Sequence, residues 1–168
     1  NTYYFYLRGS HGVCVEPNPS LYRQIKKVRP KDIVINAGVG VDSSAEADFY
    51  LFPPEADGLS TFSKTEAEYW GEVGMKKIGK IKYKEIIKMP LIGINEIIEK
   101  NFDRQPDFIS LDVEGLDLAI LKSLDYSRFS PKVICVETLL YDENQIESKN
   151  NEIIYFLTSK GYSIYADT

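Results

Sequence analysis

Asp107-Phe108-Ile109-Ser110-Leu111-Asp112-Val113-Glu114-Gly115-Leu116-Asp117 reads as a short apolar strand that ends in a carboxylate and turns through Gly115 into a helix. Leu116, Ala119, Ile120 and Leu124 recur on one face of that helix, and Val133-Ile134-Cys135-Val136-Glu137 supplies another buried strand with an acid at its end. The same grammar occurs near the start of the chain. Gly12-Val13-Cys14-Val15-Glu16 is short, β-branched and bounded by glycine and proline, as a fully buried strand is. Asn18 and Pro19 offer an N-cap and a first helical residue, so a helix is expected over 18–29 with a buried stripe of Leu21, Tyr22, Ile25 and Val28. Asp32-Ile33-Val34-Ile35-Asn36 then closes a strand–helix–strand unit.

The middle of the chain is less regular. Residues 47–52 read as a strand, 53–63 as a Pro/Gly/Ser/Thr loop and 64–73 as a short helix. The lysine-rich run Lys76 to Lys88 is interleaved with Ile78, Ile81, Tyr83, Ile86 and Ile87; a lysine-guarded edge strand explains it better than a nucleic-acid contact. Ile94, Ile97, Ile98 and Phe102 mark a helix, as do Ile153, Ile154 and Leu157 before a stop at Gly161, and Tyr162 to Tyr165 begins a last strand. Strands alternate with helices and no Gly/Ser linker divides the chain, so the expected class is one α/β domain over 1–168 with a mostly parallel sheet.

The 168 residues, 43% hydrophobic and 27% charged, suffice for a real core. Twenty basic against 25 acidic side chains leave a net charge of -5, which disfavours nucleic acid as a partner. Both cysteines, Cys14 and Cys135, sit in apolar runs and are expected buried and reduced, as in a cytoplasmic protein. No apolar run approaches the length of a membrane span, so no membrane partner is expected.

Glu16, Asp112 and Glu137 each follow a strand. In open α/β sheets ligands bind beyond the carboxyl ends of the strands, so these acids should share one rim suited to cationic or hydroxyl-rich ligands. Glu16 is placed to accept hydrogen bonds from ribose hydroxyls; it could instead cap the following helix or pair with a lysine. No glycine-rich turn follows the first strand, and Gly38-Val39-Gly40 is better read as a tight turn than as a phosphate cradle. An acidic rim without a phosphate loop favours S-adenosylmethionine over a dinucleotide.

Gly12 to Pro19, Asn36 to Gly40, Leu59-Ser60-Thr61, Asp107 to Asp117 and Pro131 to Glu137 together resemble the FkbM family of methyltransferases, in the right order and over most of the chain. The resemblance implies a Rossmann-like class I methyltransferase fold with a doubly wound, mostly parallel sheet. It also implies methyl transfer from S-adenosylmethionine, often to a hydroxyl oxygen of a natural product or sugar. By position, Glu16 looks like the ribose-binding acid, Asn18 a neighbour of the adenosine, and Ala37 and Gly38 the wall beside the adenine. Asp112 looks like the residue facing methyl group and acceptor. Asp112 or Glu114 could act as general base, although Glu114 also suits a plain helix-start acid. His11, the only histidine, reads as a surface loop residue. No metal cluster is apparent, and magnesium has no support. Family members carry a further strand ahead of a segment like residues 1–6, so a longer chain supplying that first strand is expected, and a final strand after Thr168 likewise. The acceptor, a small molecule or glycan, would meet loops such as 53–63 and 76–88. Two alternatives remain: another nucleotide-dependent Rossmann enzyme, and a non-catalytic binding module.

Overall fold

A short helix, α1 (Tyr3–Leu7), precedes strand β1 (Val13–Val15), helix α2 (Pro19–Val28) and strand β2 (Ile33–Ile35). β1 and β2 pair in parallel, Val13 opposite Ile33 and Val15 opposite Ile35, so the expected strand–helix–strand unit is present. Asn18 starts the crossover: its side-chain oxygen accepts from the backbone N–H groups of Ser20 (2.9 Å) and Leu21 (3.5 Å), and Pro19 occupies the first helical position. The computed structural model of the protein describes residues 2–43, 46–73, 79–113, 115–141 and 147–167. The α2 stripe is less covered than its periodicity suggests, since Leu21, Tyr22 and Ile25 are half-buried and Val28 is exposed.

Next come β3 (Gly38–Gly40), β4 (Glu46–Leu51), a 3-10 segment at Pro54–Leu59, α3 (Lys64–Glu72) and β5 (Glu85–Gly93). These strands form a mixed sheet in the order β3-β5-β4. Two expectations are corrected here. Gly38-Val39-Gly40 is a strand paired in parallel with Leu91–Gly93, not a tight turn; its glycines answer crowding, since a Cβ on Gly38 would lie 2.4 Å from the Phe62 ring and 2.8 Å from Leu91. The lysine-rich run is not an edge strand either. Among its described lysines only Lys88 lies in β5, which is the inner strand, while Lys80, Lys82 and Lys84 precede it on the surface. Glu85 to Pro90 pair antiparallel with β4 and Leu91 to Gly93 pair parallel with β3, so Pro90, which has no N–H to donate, marks the exchange of partners. Residues 74–78 lie outside the described residues.

Helix α4 (Ile94–Asn101), strand β6 (Phe108–Leu111), helix α5 (Asp117–Ser123) and strand β7 (Val133–Val136) follow, β6 and β7 pairing in parallel. An antiparallel pair that sequence periodicity did not indicate, β8 (Leu139–Tyr141) with β9 (Glu147–Lys149), leads to α6 (Asn151–Ser159). Gly161, at φ +92°, ends that helix: its N–H donates to Thr158 O (3.0 Å) and the Tyr162 N–H to Leu157 O (3.1 Å). Tyr162 to Tyr165 form no strand, and Tyr165 is fully exposed. Among the described residues the ladders are mixed: two parallel pairs, a three-stranded sheet with both parallel and antiparallel pairing, and an antiparallel pair.

The main core joins Ile94 and Ile98 of α4, Leu111 of β6, Ile120 and Leu121 of α5, and Ile153 of α6. Leu116, expected on the buried face of α5, is exposed just ahead of the helix. Alternation explains another departure. Ile109, Leu111, Ile134 and Val136 face the core, whereas Ser110 and Cys135, paired across the ladder, and Val133 are exposed. β6 and β7 are therefore half-buried, not fully buried, and Cys135 sits on their open face. Cys14 is half-buried, and both thiols are free.

One buried charge pair ties the amino-terminal elements together. The Asp32 side chain is wholly out of solvent; it accepts from Arg29 Nε (2.6 Å) and from the backbone N–H of Gly12 (2.9 Å), and the Cys14 thiol lies 3.9 Å away as a weak donor. Arg29 also donates to the Thr2 hydroxyl (2.7 Å) and stacks over Tyr6, which fastens α1 to the start of β1. Burial is the first cause that pushes the Cys14 thiol up. Removing one partner of such a pair strands the other charge, so Arg29→Ala should lower unfolding stability by about 3–5 kcal/mol in a denaturant titration, far more than a surface arginine would.

Candidate functional site

The loops beyond β1, β2 and β6 meet at a cavity of about 140 Å³. Val15, Glu16 and Pro17 line it from the end of β1, Ala37 and Gly38 from just past β2, and Asp112 and Val113 from the end of β6. Four residues singled out by sequence, Glu16, Ala37, Gly38 and Asp112, therefore share one concavity. Asn18 is not among its lining residues; it is buried, with its side chain committed to the α2 cap. Glu114 lies outside the described residues. His11 is exposed ahead of β1, away from the carboxyl ends.

Asn36 holds this rim in register. Its side-chain amide donates to Glu16 O (2.8 Å) and Pro17 O (3.0 Å), while the Glu16 N–H donates to Ile35 O (3.0 Å). The turn after β1 is thereby bound to the end of β2, which fixes where Glu16 emerges. Glu16 Oε1 accepts from the backbone N–H of Asn18 (2.8 Å), so one oxygen does the local capping that sequence left open as an alternative. Among the described residues no hydrogen bond or ion pair involves the other oxygen. Burial pushes the Glu16 carboxyl up, the Asn18 N–H pulls it back, and the charge of Asp57 pushes it up again.

Asp112 is exposed at the cavity, and behind it stand Glu137, which sequence places on the same rim but which is not among the lining residues, and Asp117, to which sequence reading gave no role in the site. Glu137, at the end of β7, is held above the usual glutamate range by burial first, then by the charge of Asp112 and a hydrogen bond with it. A protonated Glu137 can donate to Asp112. Asp117 is buried and also raised, by burial foremost and in part by the Asp112 charge, while backbone N–H groups, including that of Val113 at 3.4 Å, oppose the shift. Its carboxylate shapes the turn after β6, in which Gly115 takes φ +91°, a conformation few other residues adopt.

The remaining walls come from a segment that sequence assigned to the acceptor loop. Ser60, Thr61 and Phe62 line the same cavity as Glu16, together with Phe49 of β4. Among the described residues its lining includes no lysine, arginine or histidine. Among the described residues no three His, Cys, Asp or Glu side chains are grouped to hold a metal ion, and no helix is long and apolar enough to cross a membrane.

Over residues 1–164 the chain matches the family model described as Methyltransferase FkbM domain. The chain belongs to the FkbM methyltransferase family. No curated protein and no solved structure matched it. FkbM membership carries a class I methyltransferase fold and methyltransferase activity in general terms. In this FkbM domain the cavity joins two acidic side chains, Glu16 and Asp112, to the apolar Ala37 and Gly38. A volume of about 140 Å³ is below the roughly 300–1,000 Å³ typical of sites for whole small molecules.

The raised Glu16 carboxyl has a consequence for folding. Protonated Glu16 favours the folded state below the ordinary value of 4.5, and this contribution is lost as pH rises through the raised value. Glu16→Gln keeps an acceptor for the Asn18 N–H and removes the charge. The ligand-free variant should melt at a higher temperature than wild type at neutral pH, and the difference should vanish below pH 4.5.

Proposed function

We propose that this FkbM domain binds S-adenosylmethionine at the Glu16–Asp112 cavity and methylates a hydroxyl oxygen of a small molecule or glycan. The observation that supports this most directly is the convergence of Glu16 and Asp112, 96 positions apart by their numbers, on one cavity at the carboxyl ends of parallel strands. When bound, S-adenosylmethionine supplies an electrophilic methyl group on a sulfonium. Ionised Glu16 accepts hydrogen bonds from the ribose hydroxyls, oriented by the Asn18 N–H and by the Asn36 latch. Asn18 thereby serves the adenosine through Glu16, and Ala37 with Gly38 forms the apolar wall beside the adenine.

Methyl transfer to an alcohol releases a proton. Asp112, exposed on the cavity rim, takes it as the acceptor oxygen forms its bond to carbon, with Glu137 hydrogen-bonded behind. Glu114 is a second candidate for the base, on its position in the sequence. The chain's main task is to align donor and acceptor and to exclude water. A Rossmann-like, doubly wound arrangement of the two parallel pairs belongs to the same proposal, as do a single domain, residence in the cytoplasm and a partner other than nucleic acid.

Calorimetry with S-adenosylmethionine and S-adenosylhomocysteine tests the donor assignment. Wild type should bind both, and Glu16→Ala should weaken binding by about ten- to a hundredfold, as expected for a lost charge-assisted hydrogen bond of roughly 1.5–3 kcal/mol. Absence of heat with either ligand would overturn the reading. Once an acceptor is in hand, Asp112→Asn should lower kcat by about 10²–10⁴ while donor affinity changes little, the pattern of a lost general base. An unchanged kcat would remove Asp112 from that role.

A further inference from the structure

Among the described residues Phe62 is the one large aromatic side chain of the cavity left partly open, and the way it is held suggests more than packing. Its ring leans on Phe49, which is 2% exposed, with centroids 4.6 Å apart and planes 50° from each other. The far end of the ring lies over Gly38: a Cβ there would be 2.4 Å from Cζ and 2.8 Å from Cε2. No side chain other than hydrogen fits at position 38 unless that ring moves. Gly38 and Phe62 line the same cavity as Glu16, so the clearance at Gly38 lets the edge of the ring rest on the wall past β2.

The segment bearing Phe62 is anchored at several points. Thr61, 4% exposed, exchanges backbone hydrogen bonds with Tyr50: the Tyr50 N–H donates to Thr61 O (2.9 Å) and the Thr61 N–H to Tyr50 O (3.2 Å). The Thr61 hydroxyl donates to Glu66 Oε2 (2.7 Å) and accepts from the Ser63 N–H (3.0 Å), and Ser63 in turn caps α3. Ser60 Oγ accepts from the Phe52 N–H (3.1 Å). Asp57, on the same stretch, is close enough to Glu16 for its charge to act there, which brings this segment to the edge of the Glu16 site.

We infer that Phe62 is the stacking platform for the purine ring of the methyl donor, and that Gly38 is required to clear it. The inference rests on the donor reading above. A flat, apolar, π-bearing group is what a fixed phenyl face beside a Cβ-free wall accepts, and nucleobases stack on aromatic side chains with little need for further contacts. Base and ribose would then be gripped separately: the ring by Phe62, the hydroxyls by Glu16.

Titration of the full-length protein with S-adenosylhomocysteine tests this. Phe62→Leu, which keeps apolar bulk against Phe49, should weaken binding roughly 5- to 100-fold, the range that one base–aromatic stack supplies; Phe62→Tyr should stay within about threefold, since it keeps the π face. A second readout needs no variant. Stacking lowers the ultraviolet absorbance of adenine, so binding to wild type should produce that hypochromic change, and Phe62→Leu at saturating ligand should not. If wild type binds S-adenosylhomocysteine without the absorbance change, or if folded Phe62→Leu binds as tightly as wild type, the platform is wrong and the Glu16 reading stands. If wild type does not bind at all, the donor reading fails and takes the platform with it.

Discussion

Parallel pairing makes neighbouring strands deliver their carboxyl ends to the same edge, and the site depends on that constraint. Val13 to Val15 lie in register with Ile33 to Ile35, and Phe108 to Leu111 with Val133 to Val136. The residue after each of three of these strands is an acid: Glu16, Asp112 and Glu137. A backbone ladder fixes where a strand ends but not where the next residue points, and here Asn36 does the remaining work. Its two hydrogen bonds to Glu16 O and Pro17 O turn the end of β1 towards Ala37 and Gly38. The first pair and its turn thus form one rigid edge of the cavity.

Gathering carboxylates in a partly buried rim works against folding. Glu16, Asp117 and Glu137 are all raised chiefly by burial, and in the last two the Asp112 charge adds to it. Backbone N–H groups offset part of that strain at Glu16 and Asp117. A cationic ligand would relieve more of it, because a positive charge among acids stabilises their ionised forms. The arrangement that weakens the ligand-free protein is the one that would favour a sulfonium donor. Under the proposed function, ligand binding and stability would pull in opposite directions at Glu16, and the Arg29–Asp32 node on the other end of β1 helps hold the fold.

Much of the framework was legible because local signals sufficed. Asn18-Pro19 announces a helix start through capping and a fixed φ, Gly161 announces a helix stop through its left-handed backbone, and short β-branched runs ending in acids announce strands. The gathering of Glu16 and Asp112 followed from strand polarity, whereas Ala37 and Gly38 were indicated only by the family resemblance. Misreadings arose wherever the answer lay in a distant partner. Gly38-Val39-Gly40 looked like a turn because its crowding comes from Phe62 and Leu91, which no local window contains. Lysines around β5 suggested an edge, yet the strand is flanked on both sides by segments far away in the chain. Cys135 lay in an apolar run and proved exposed, since burial of alternate residues depends on whether anything covers the second face of β6 and β7.

By itself the sequence determined the chemistry available at the rim, because strand direction and residue type are local properties that place acids at carboxyl ends. The tertiary structure alone decided what surrounds them. It brought Ser60-Thr61-Phe62 against Gly38, set Asn36 across two turns, and put Glu137 behind Asp112. The reason is physical: contacts between segments remote in the chain follow from how side-chain volumes and backbone hydrogen bonds are satisfied together, and no single stretch encodes that joint solution.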